Sequence, residues 1–149
     1  MNKDEKWMKI ALEEAIKAEK EGEVPIGAVL VKDDLLISKA HNQPISKNDA
    51  TAHAEIQLIR FAGKKLKNYR LNGSTVFVTL QPCSMCIAAM AHARVERIVF
   101  GAHDSKLGSF NIKSSLNTET FSKHKITITG GILERDCREL LLKFFKSRR

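Results

Sequence analysis

The chain has 149 residues, a length typical of one domain with a substantial core. Hydrophobic residues make up 43% of it and charged residues 28%, as in ordinary globular proteins. No apolar run is long enough to span a bilayer, and the predominantly polar first residues lead into an amphipathic segment. We therefore expect a single domain over residues 1–149, with no signal peptide and no membrane association.

The charge is strongly biased, with a net value of +8 and a pI of about 9.5. This excess has two interpretations, a solvated basic surface or a surface that binds a polyanion such as nucleic acid. The cysteines are Cys83, Cys86 and Cys137, of which the first two form a metal-type pair. That usage indicates a reducing compartment rather than a disulfide framework, so we expect a cytoplasmic protein.

Hydrophobic periodicity predicts the secondary structure. Four segments have helical spacing: residues 4–21, 51–64, 84–93 and a last helix after Gly131. Five segments have the pattern of strands: residues 27–31, 35–37, 75–80, 97–101 and 126–129. We expect a tight turn at Asp33-Asp34, a polar loop from His41 to Asp49 and an irregular segment from Ser109 to Lys123.

The order of these elements predicts helices on both faces of one sheet. The fold class we expect is α/β, a three-layer α/β/α sandwich around a five-stranded mixed sheet. The first strand is continuously apolar, which indicates burial on both of its faces. Gly22 is predicted to end the first helix, and Thr51 to cap the second. Trp7 lies in the apolar stripe of the first helix, so we interpret it as a core residue.

Cys83 and Cys86 are three residues apart at the predicted start of the third helix, where both sulfurs project from one face. The helix N-terminus favours their thiolate forms. Together with His53 they make three ligands of the kind that zinc prefers, and they leave a fourth position for water. Zinc lowers the pKa of such a water from 15.7 to about 7. The sequence therefore predicts one catalytic zinc ion per chain.

Other interpretations of these residues are open. A C-x-x-C pair also occurs in redox sites, and a lone histidine is more often a buried structural residue. A closed structural zinc site needs a fourth ligand, but Cys137 lies about fifty residues away in an apolar helical stripe. We favour the open site because only three ligands have a suitable spacing, and Glu55 then places a carboxylate two residues from His53. Residues two apart on a helix point about 200° apart, so we expect His53 in the first turn, where geometry is loosest.

The H-x-E…P-C-x-x-C pattern is the signature of zinc-dependent nucleobase deaminases. Over nearly its whole length the chain resembles the bacterial tRNA-specific adenosine deaminase family, within the cytidine deaminase-like superfamily. The resemblance is carried by Val24–Val29, His41-Asn42, Thr51–Glu55, Asn68–Leu71, Val78–Leu80, Pro82–Cys86, Phe100–Ala102, Asp104 with Lys106, and Phe144-Phe145.

The resemblance implies hydrolytic deamination of adenosine to inosine at the wobble position of a tRNA anticodon. It implies that His53, Cys83 and Cys86 hold zinc, and that Glu55 shuttles protons among the water, the purine and the leaving amine. It also implies a homodimer that binds the tRNA anticodon loop, without an organic cofactor. The substrate-binding residues that it implies are Asn42, the backbone of Ala54, Asp104, Phe145, Arg148 and Arg149.

The resemblance implies that Asn42 bonds to the flipped base and Asp104 to a ribose hydroxyl. It implies that Phe145, Arg148 and Arg149 lie near the anticodon loop. The residues alone leave plainer roles open, since Asn42 is by default a turn residue and Phe145 a core aromatic. Two positions and one segment, Phe110–Asn117, depart from the family's pattern; the segment keeps the family's length but little of its usual residue pattern. Gln81 stands where the family usually has Glu, and His103 stands where many members have Arg.

Two other functions are compatible with these residues. One is deamination of a free nucleobase or nucleoside of the cytosine or guanine type, and the other is a non-catalytic zinc- or RNA-binding module. The basic C-terminal helix disfavours the first, because a small neutral substrate gains nothing from a polybasic rim. The presence of Glu55 disfavours the second.

Overall fold

The computed structural model describes residues 2–104 and 124–148. Its helices are α1 (Lys3–Lys20), α2 (Pro44–Lys47), α3 (Ala54–Leu66), α4 (Ser84–His92) and α5 (Glu134–Ser147). Its strands are β1 (Gly27–Lys32), β2 (Leu35–His41), β3 (Ser74–Leu80), β4 (Arg97–Ala102) and β5 (Thr127–Thr129). The predicted segment Ser109–Lys123, and Lys106 before it, lie outside the described residues.

The five strands form one mixed sheet, as predicted, and their order in the sheet is β2-β1-β3-β4-β5. Strand β1 is antiparallel to both β2 and β3, whereas β3, β4 and β5 run parallel to one another. Leu80 pairs with Ala102 at the carboxyl ends of β3 and β4, so the chain leaves both strands at the same edge of the sheet. Ligands of open α/β sheets bind beyond this edge.

Helices cover both faces of the sheet, which confirms the three-layer architecture. Buried residues of α3 and α4 pack against one face of the central strands, and their core includes Leu58, Met90, Val78 and Ile98. Helices α1 and α5 cover the other face, with a core that includes Met8, Leu141, Val29 and Phe77. Trp7 belongs to this second core and is only 8% exposed, so its interpretation as a core residue is confirmed.

Two local predictions in the first forty residues are confirmed. Asp33 and Asp34 have φ angles of 53° and 60°, the left-handed pair that a two-residue hairpin turn needs. Helix α1 ends in a Schellman motif, in which Gly22 takes a φ of +80° and Glu23 N–H bonds to the Ala18 carbonyl at 2.9 Å.

The segment predicted as a loop from His41 to Asp49 is partly regular. Strand β2 extends through His41, and the four residues of α2 follow. The buried carboxylate of Glu23 accepts hydrogen bonds from the backbone N–H groups of Ile45, at 3.1 Å, and Ser46, at 2.7 Å. A long-range partner therefore satisfies the start of this short helix, which local sequence patterns do not reveal.

The predicted start of the second long helix was wrong. Helix α3 begins at Ala54, with His53 in the N-cap position, and not at Thr51. The N–H and hydroxyl of Thr51 both bond to the Asp49 carboxylate, at 2.9 and 2.7 Å. This local turn satisfies Thr51 and delays the helix by three residues.

Within residues 2–104 and 124–148, no helix has the length and apolar character required to cross a membrane.

Candidate metal centre and active site

Three predicted ligands meet at the start of two helices. His53 is the N-cap residue of α3, Cys83 is the N-cap residue of α4, and Cys86 lies in the first turn of α4. The Nδ1 atom of His53 lies 3.6 Å from Cys83 Sγ and 3.5 Å from Cys86 Sγ. All three ligand atoms lie within 4.8 Å of one another. The structure thus brings His53 next to Cys83 and Cys86, which follow it in the sequence by 30 and 33 residues.

The spacing of these atoms fits zinc. Zn–S bonds of about 2.3 Å and Zn–N bonds of about 2.0–2.1 Å at a tetrahedral angle give S···N separations of about 3.6 Å. The two observed sulfur–nitrogen distances, 3.6 and 3.5 Å, match this value. Within the part of the chain that the structure describes, this is the one group of three or more His, Cys, Asp or Glu residues positioned for a metal.

Neither of the two N-cap side chains caps its own helix. His53 and Cys83 make no side-chain hydrogen bond to the following turn, although an N-cap usually does so through Ser, Thr, Asp or Asn. Both residues have the extended backbone angles usual at an N-cap, but their ligand atoms lie together in the metal group instead. Because His53 precedes the helix, the 200° separation expected between His53 and Glu55 on a regular helix does not apply. Both groups therefore face the same site.

The two cysteines differ in their acidity. Hydrogen bonds from Cys86 and His53 lower the pKa of the Cys83 thiol to about 4, against the effect of burial. The Cys83 sulfur and burial raise the pKa of Cys86 well above its ordinary value. The hydrogen bond to Cys83 also raises the pKa of His53. A divalent cation at this point offsets the repulsion between two thiolates, so metal binding and loss of the Cys86 proton are coupled.

Glu55 lies beside the three ligands and is almost wholly buried, with 4% exposure. Burial raises its pKa to about 7, and the Cys83 sulfur acts in the same direction. Its carboxyl group also has a hydrogen-bond contact with the Cys86 side chain. A carboxyl group with this pKa takes up and releases protons near neutral pH, which suits a general acid–base group.

The metal ligands open onto a small cavity of about 150 Å³. Its lining residues are Ile26, His53, Glu55, Leu80, Gln81, Cys83 and Asp104. Of the predicted substrate-binding residues, Asp104 lines the cavity directly, and Ala54 lies between His53 and Glu55 at the start of α3. The backbone N–H of Asn42 bonds to the Ile26 carbonyl at 3.0 Å, which places Asn42 next to the cavity wall.

Asn42 carries a polar atom that its surroundings do not satisfy. The side chain is 6% exposed, and its Oδ1 atom has no hydrogen-bond partner among the described residues. Buried acceptors are nearly always paired in folded proteins. This unpaired oxygen belongs to a residue whose backbone bonds to Ile26, a residue of the cavity wall.

A second cavity, of about 170 Å³, adjoins the first. The two share Leu80 and Asp104, and the second is also lined by Phe145, which is 39% exposed. Phe145 is thus not a core aromatic, and its ring lies next to the candidate site. The guanidinium of Arg148 lies over the Phe144 ring at 4.7 Å, outside the lining of either cavity. Arg149 lies outside the described residues.

Sequence reasoning missed three residues of the site. Leu80 and Ile26 line the cavity, and Gln81 both lines it and accepts a hydrogen bond from the Asp104 N–H at 3.1 Å. Leu80 was detectable, since it ends a strand at the ligand-binding edge of the sheet. The other departure from the family's pattern, His103, bonds through Nδ1 to the Glu134 carboxylate of α5 at 2.6 Å.

Comparison with known proteins agrees with this geometry. The family model for the cytidine and deoxycytidylate deaminase zinc-binding region matches residues 1–102. A tRNA-specific adenosine deaminase of Buchnera aphidicola subsp. Schizaphis graminum is 48% identical over 150 residues, which cover 99% of this chain and 97% of that protein. The tRNA-specific adenosine deaminase of Bacillus subtilis strain 168 is 44% identical over 149 residues, covering 100% of this chain and 92% of that one.

Solved structures support the same grouping. A structure from a study of A-to-I editing by tRNA A34 deaminases at the wobble position of transfer RNA superposes with a TM-score of 0.84 and 40% identity. That match covers 91% of this chain and 99% of the other. A guanine deaminase from Bacillus subtilis gives a TM-score of 0.67 and 34% identity over 73% of this chain and 69% of its own. This chain therefore belongs to the cytidine and deoxycytidylate deaminase zinc-binding family, on the branch of the tRNA-specific adenosine deaminases.

Proposed function

We propose that this protein hydrolytically deaminates adenosine to inosine at the wobble position of a tRNA anticodon. The observation that carries the proposal is the buried Glu55 carboxyl beside the His53, Cys83 and Cys86 cluster. It lies in a chain that matches tRNA-specific adenosine deaminases over nearly its full length.

His53, Cys83 and Cys86 would hold one zinc ion. When bound there, zinc supplies a Lewis acid that makes water a competent nucleophile at neutral pH. The protein contributes the fixed ligand geometry and a small cavity of about 150 Å³ that limits access of bulk water.

Glu55 would act as the proton carrier. Overall, water adds to C6 of the purine and ammonia leaves, so one proton must pass from the water to the purine ring and another to the departing amine. A carboxyl group held between the metal ligands and the cavity can accept the first proton and deliver it to the ring. The same oxygen atoms then serve the second transfer.

The target nucleotide must leave its stack to reach this cavity. The unpaired Oδ1 of Asn42 would accept a hydrogen bond from the flipped base, and the N–H of Ala54, at a helix start, is a donor without an intrahelical partner. Asp104 would hold a ribose hydroxyl at the mouth of the cavity. Phe145, in the adjoining cavity, would contact the anticodon loop, together with Arg148 and Arg149 of the basic C-terminus.

We also propose that the protein acts as a cytoplasmic homodimer with one deaminase domain per chain. Free cysteines in a metal-type pair support a reducing compartment. The family resemblance supports the dimer. The exposed apolar side chains of Ile45, 70% exposed, and Met85, 36% exposed, are surface that such a contact could bury.

The test is to incubate the zinc-loaded protein with anticodon stem-loops that carry A at the wobble position and to sequence the products for inosine. Free guanine, cytosine and their nucleosides form the second arm, because the guanine deaminase similarity favours such substrates as the alternative. Inosine confined to the wobble position supports the proposal. Turnover of a free base without any inosine in the stem-loop would replace it with the alternative.

A further inference from the structure

One stretch of the sequence is basic without any acidic residue. Between Glu55 and Glu96 the sequence contains no acidic residue and six basic ones: Arg60, Lys64, Lys65, Lys67, Arg70 and Arg94. This stretch includes nearly all of α3 and the whole of α4. In the opposite layer, α1 and α5 together carry nine basic and eight acidic residues. The stretch between Glu55 and Glu96 therefore carries six basic residues with no acidic residue among them, whereas basic and acidic residues are nearly balanced in α1 and α5.

Most of these charges converge at the C-terminal end of α3, around an open hollow of about 640 Å³. Its lining includes Arg60, Lys64, Lys67 and Tyr69. Tyr69 is 76% exposed, and the guanidinium of Arg70 lies 5.5 Å from the centre of its ring. We call Arg60, Lys64, Lys65, Lys67, Tyr69 and Arg70 the α3 basic surface.

Most cations of this surface have no acidic partner within residues 2–104 and 124–148. Among the described residues, Lys64, Lys65, Lys67 and Arg70 form no ion pair, and the contact of Arg60 with Asp49 is long, at 4.0 Å. Lysines in the last turn of a helix also complement its dipole, which accounts for Lys64 and Lys65. The dipole does not account for Arg60, a turn earlier, or for Arg70, beyond the helix end. Nor does it account for an exposed aromatic ring among these charges.

We propose that the α3 basic surface binds the sugar–phosphate backbone of the RNA substrate at a point remote from the reacting nucleotide. A dense set of cations with few acidic partners is complementary to a polyanion, and an exposed tyrosine beside arginine is suited to stack on a base or ribose. A second copy of this chain is a poorer occupant, since a two-fold contact centred here sets the same positive surface against itself. The identity of the RNA as tRNA rests on the proposed function.

The position of the surface defines which part of the RNA it reaches. The metal ligands lie at the N-terminal end of α3, whose 13 residues span about 20 Å. The basic surface extends from Arg60, about 10 Å along the helix axis, to beyond the C-terminal end of the helix. An RNA that fills the active site reaches the surface only with nucleotides well outside the reacting one. Its contribution is therefore to affinity for long substrates and not to the chemical step.

The test compares two triple variants. The surface variant combines Lys64→Gln, Lys67→Gln and Arg70→Gln. The matched control combines Lys9→Gln, Lys20→Gln and Lys39→Gln. Both remove three charges from exposed side chains, and the control residues lie outside the basic surface and form no ion pair among the described residues. We would measure the affinity of each protein for two RNAs at several salt concentrations. One is full-length tRNA, and the other is a hairpin with the same loop but a stem too short to span about 20 Å. Zinc content, kcat and sedimentation are measured in parallel.

We expect the surface variant to bind tRNA about tenfold or more weakly and to flatten the slope of log K against log salt by about 2–3, at 0.7–0.9 per phosphate. Its kcat, zinc content and affinity for the short hairpin should remain near wild type, and the control should change little. Equal effects of both variants, or equal loss with the short hairpin, would overturn the proposal. So would a change in oligomeric state with unchanged tRNA affinity, which would assign the surface to a second copy. Inosine formation by the wild-type protein is measured separately. If the surface variant loses tRNA affinity but the wild type forms no inosine, the proposed activity is refuted and the assignment of the surface to RNA binding stands.

Discussion

The side-chain carbonyl of Gln81 accepts a hydrogen bond from the backbone N–H of Asp104, with 3.1 Å between Oε1 and N. Gln81 is 5% exposed and follows the end of β3, whereas Asp104 follows the end of β4. The backbone N–H of Gln81 also bonds to the Ala102 carbonyl at 2.8 Å. These bonds hold two adjacent strand ends together at the mouth of the cavity, so Gln81 fixes the position of Asp104.

Replacing Gln81 by methionine removes the acceptor of the Asp104 N–H bond at similar side-chain volume. We expect KM for the stem-loop to rise about tenfold, since loss of one buried partner costs about 1–3 kcal/mol, with a smaller change in kcat and full zinc content. Gln81→Glu keeps the acceptor and should restore most of the affinity. Equal impairment of both variants in steady-state kinetics would show that the hydrogen bond does not position Asp104.

Removal of one metal ligand should abolish metal binding and activity together. We expect purified protein to contain about one zinc per chain, and Cys83→Ser to lose it, because a hydroxyl is a poor substitute for a thiolate. Cys137→Ser is the control, since that thiol is buried in the α5 core and its pKa is raised to about 12 by burial. Metal analysis of both variants beside the wild type checks this, and full activity in metal-free protein would contradict it.

Substitution of Glu55 should separate chemistry from binding. General acid–base groups typically contribute about 10²–10⁴-fold to rate, and Glu55 is assigned to two proton transfers. Glu55→Ala and Glu55→Gln should each reduce kcat by about 10²–10⁴-fold or more. Zinc content and stem-loop affinity should remain near wild type. Single-turnover rates and equilibrium binding, measured on the same preparations, distinguish an effect on the chemical step from an effect on binding. Near-wild-type turnover by either variant would remove Glu55 from the mechanism.

The adjacent aromatic residues Phe144 and Phe145 should respond in opposite ways. Phe144 is 8% exposed, so Phe144→Ala should lower the free energy of unfolding by about 3–5 kcal/mol. Phe145 is 39% exposed beside the second cavity, so Phe145→Ala should cost about 1 kcal/mol or less in stability. Its stem-loop affinity should nevertheless fall about tenfold, as expected when a stacking ring is lost. Denaturant unfolding and binding assays on both variants decide this.

Close packing between α1 and the sheet predicts a large difference between two glycines. A Cβ atom at Gly27 would overlap the Ala11 carbonyl oxygen and the Ala15 nitrogen. Gly27→Ala should therefore displace α1 and destabilise the protein by about 3 kcal/mol or more. At Gly63, inside α3, the nearest atom is the Asn68 carbonyl oxygen at 3.4 Å, so Gly63→Ala should be neutral or stabilising by up to about 1 kcal/mol. Urea midpoints for the two variants test the contrast.

Local patterns were sufficient for most elements of the fold and for the metal ligands. Apolar periodicity predicted four long helices and five strands because burial of one face requires it, and all are present among the described residues. The spacing of Cys83 and Cys86 predicted a shared helix face, since residues three apart are neighbours on any helix. These features depend on interactions between residues close in the chain, which a sequence displays directly.

Tertiary structure decided what depends on partners distant in the chain. Glu23 supports the start of α2 across more than twenty residues. The hydrogen bond from Asp104 to Gln81 exists only because β3 and β4 are parallel neighbours that end at the same edge. The unpaired oxygen of Asn42 follows in the same way from burial by segments that only the folded chain brings together. Such contacts are chosen by packing in three dimensions, and no local pattern records them.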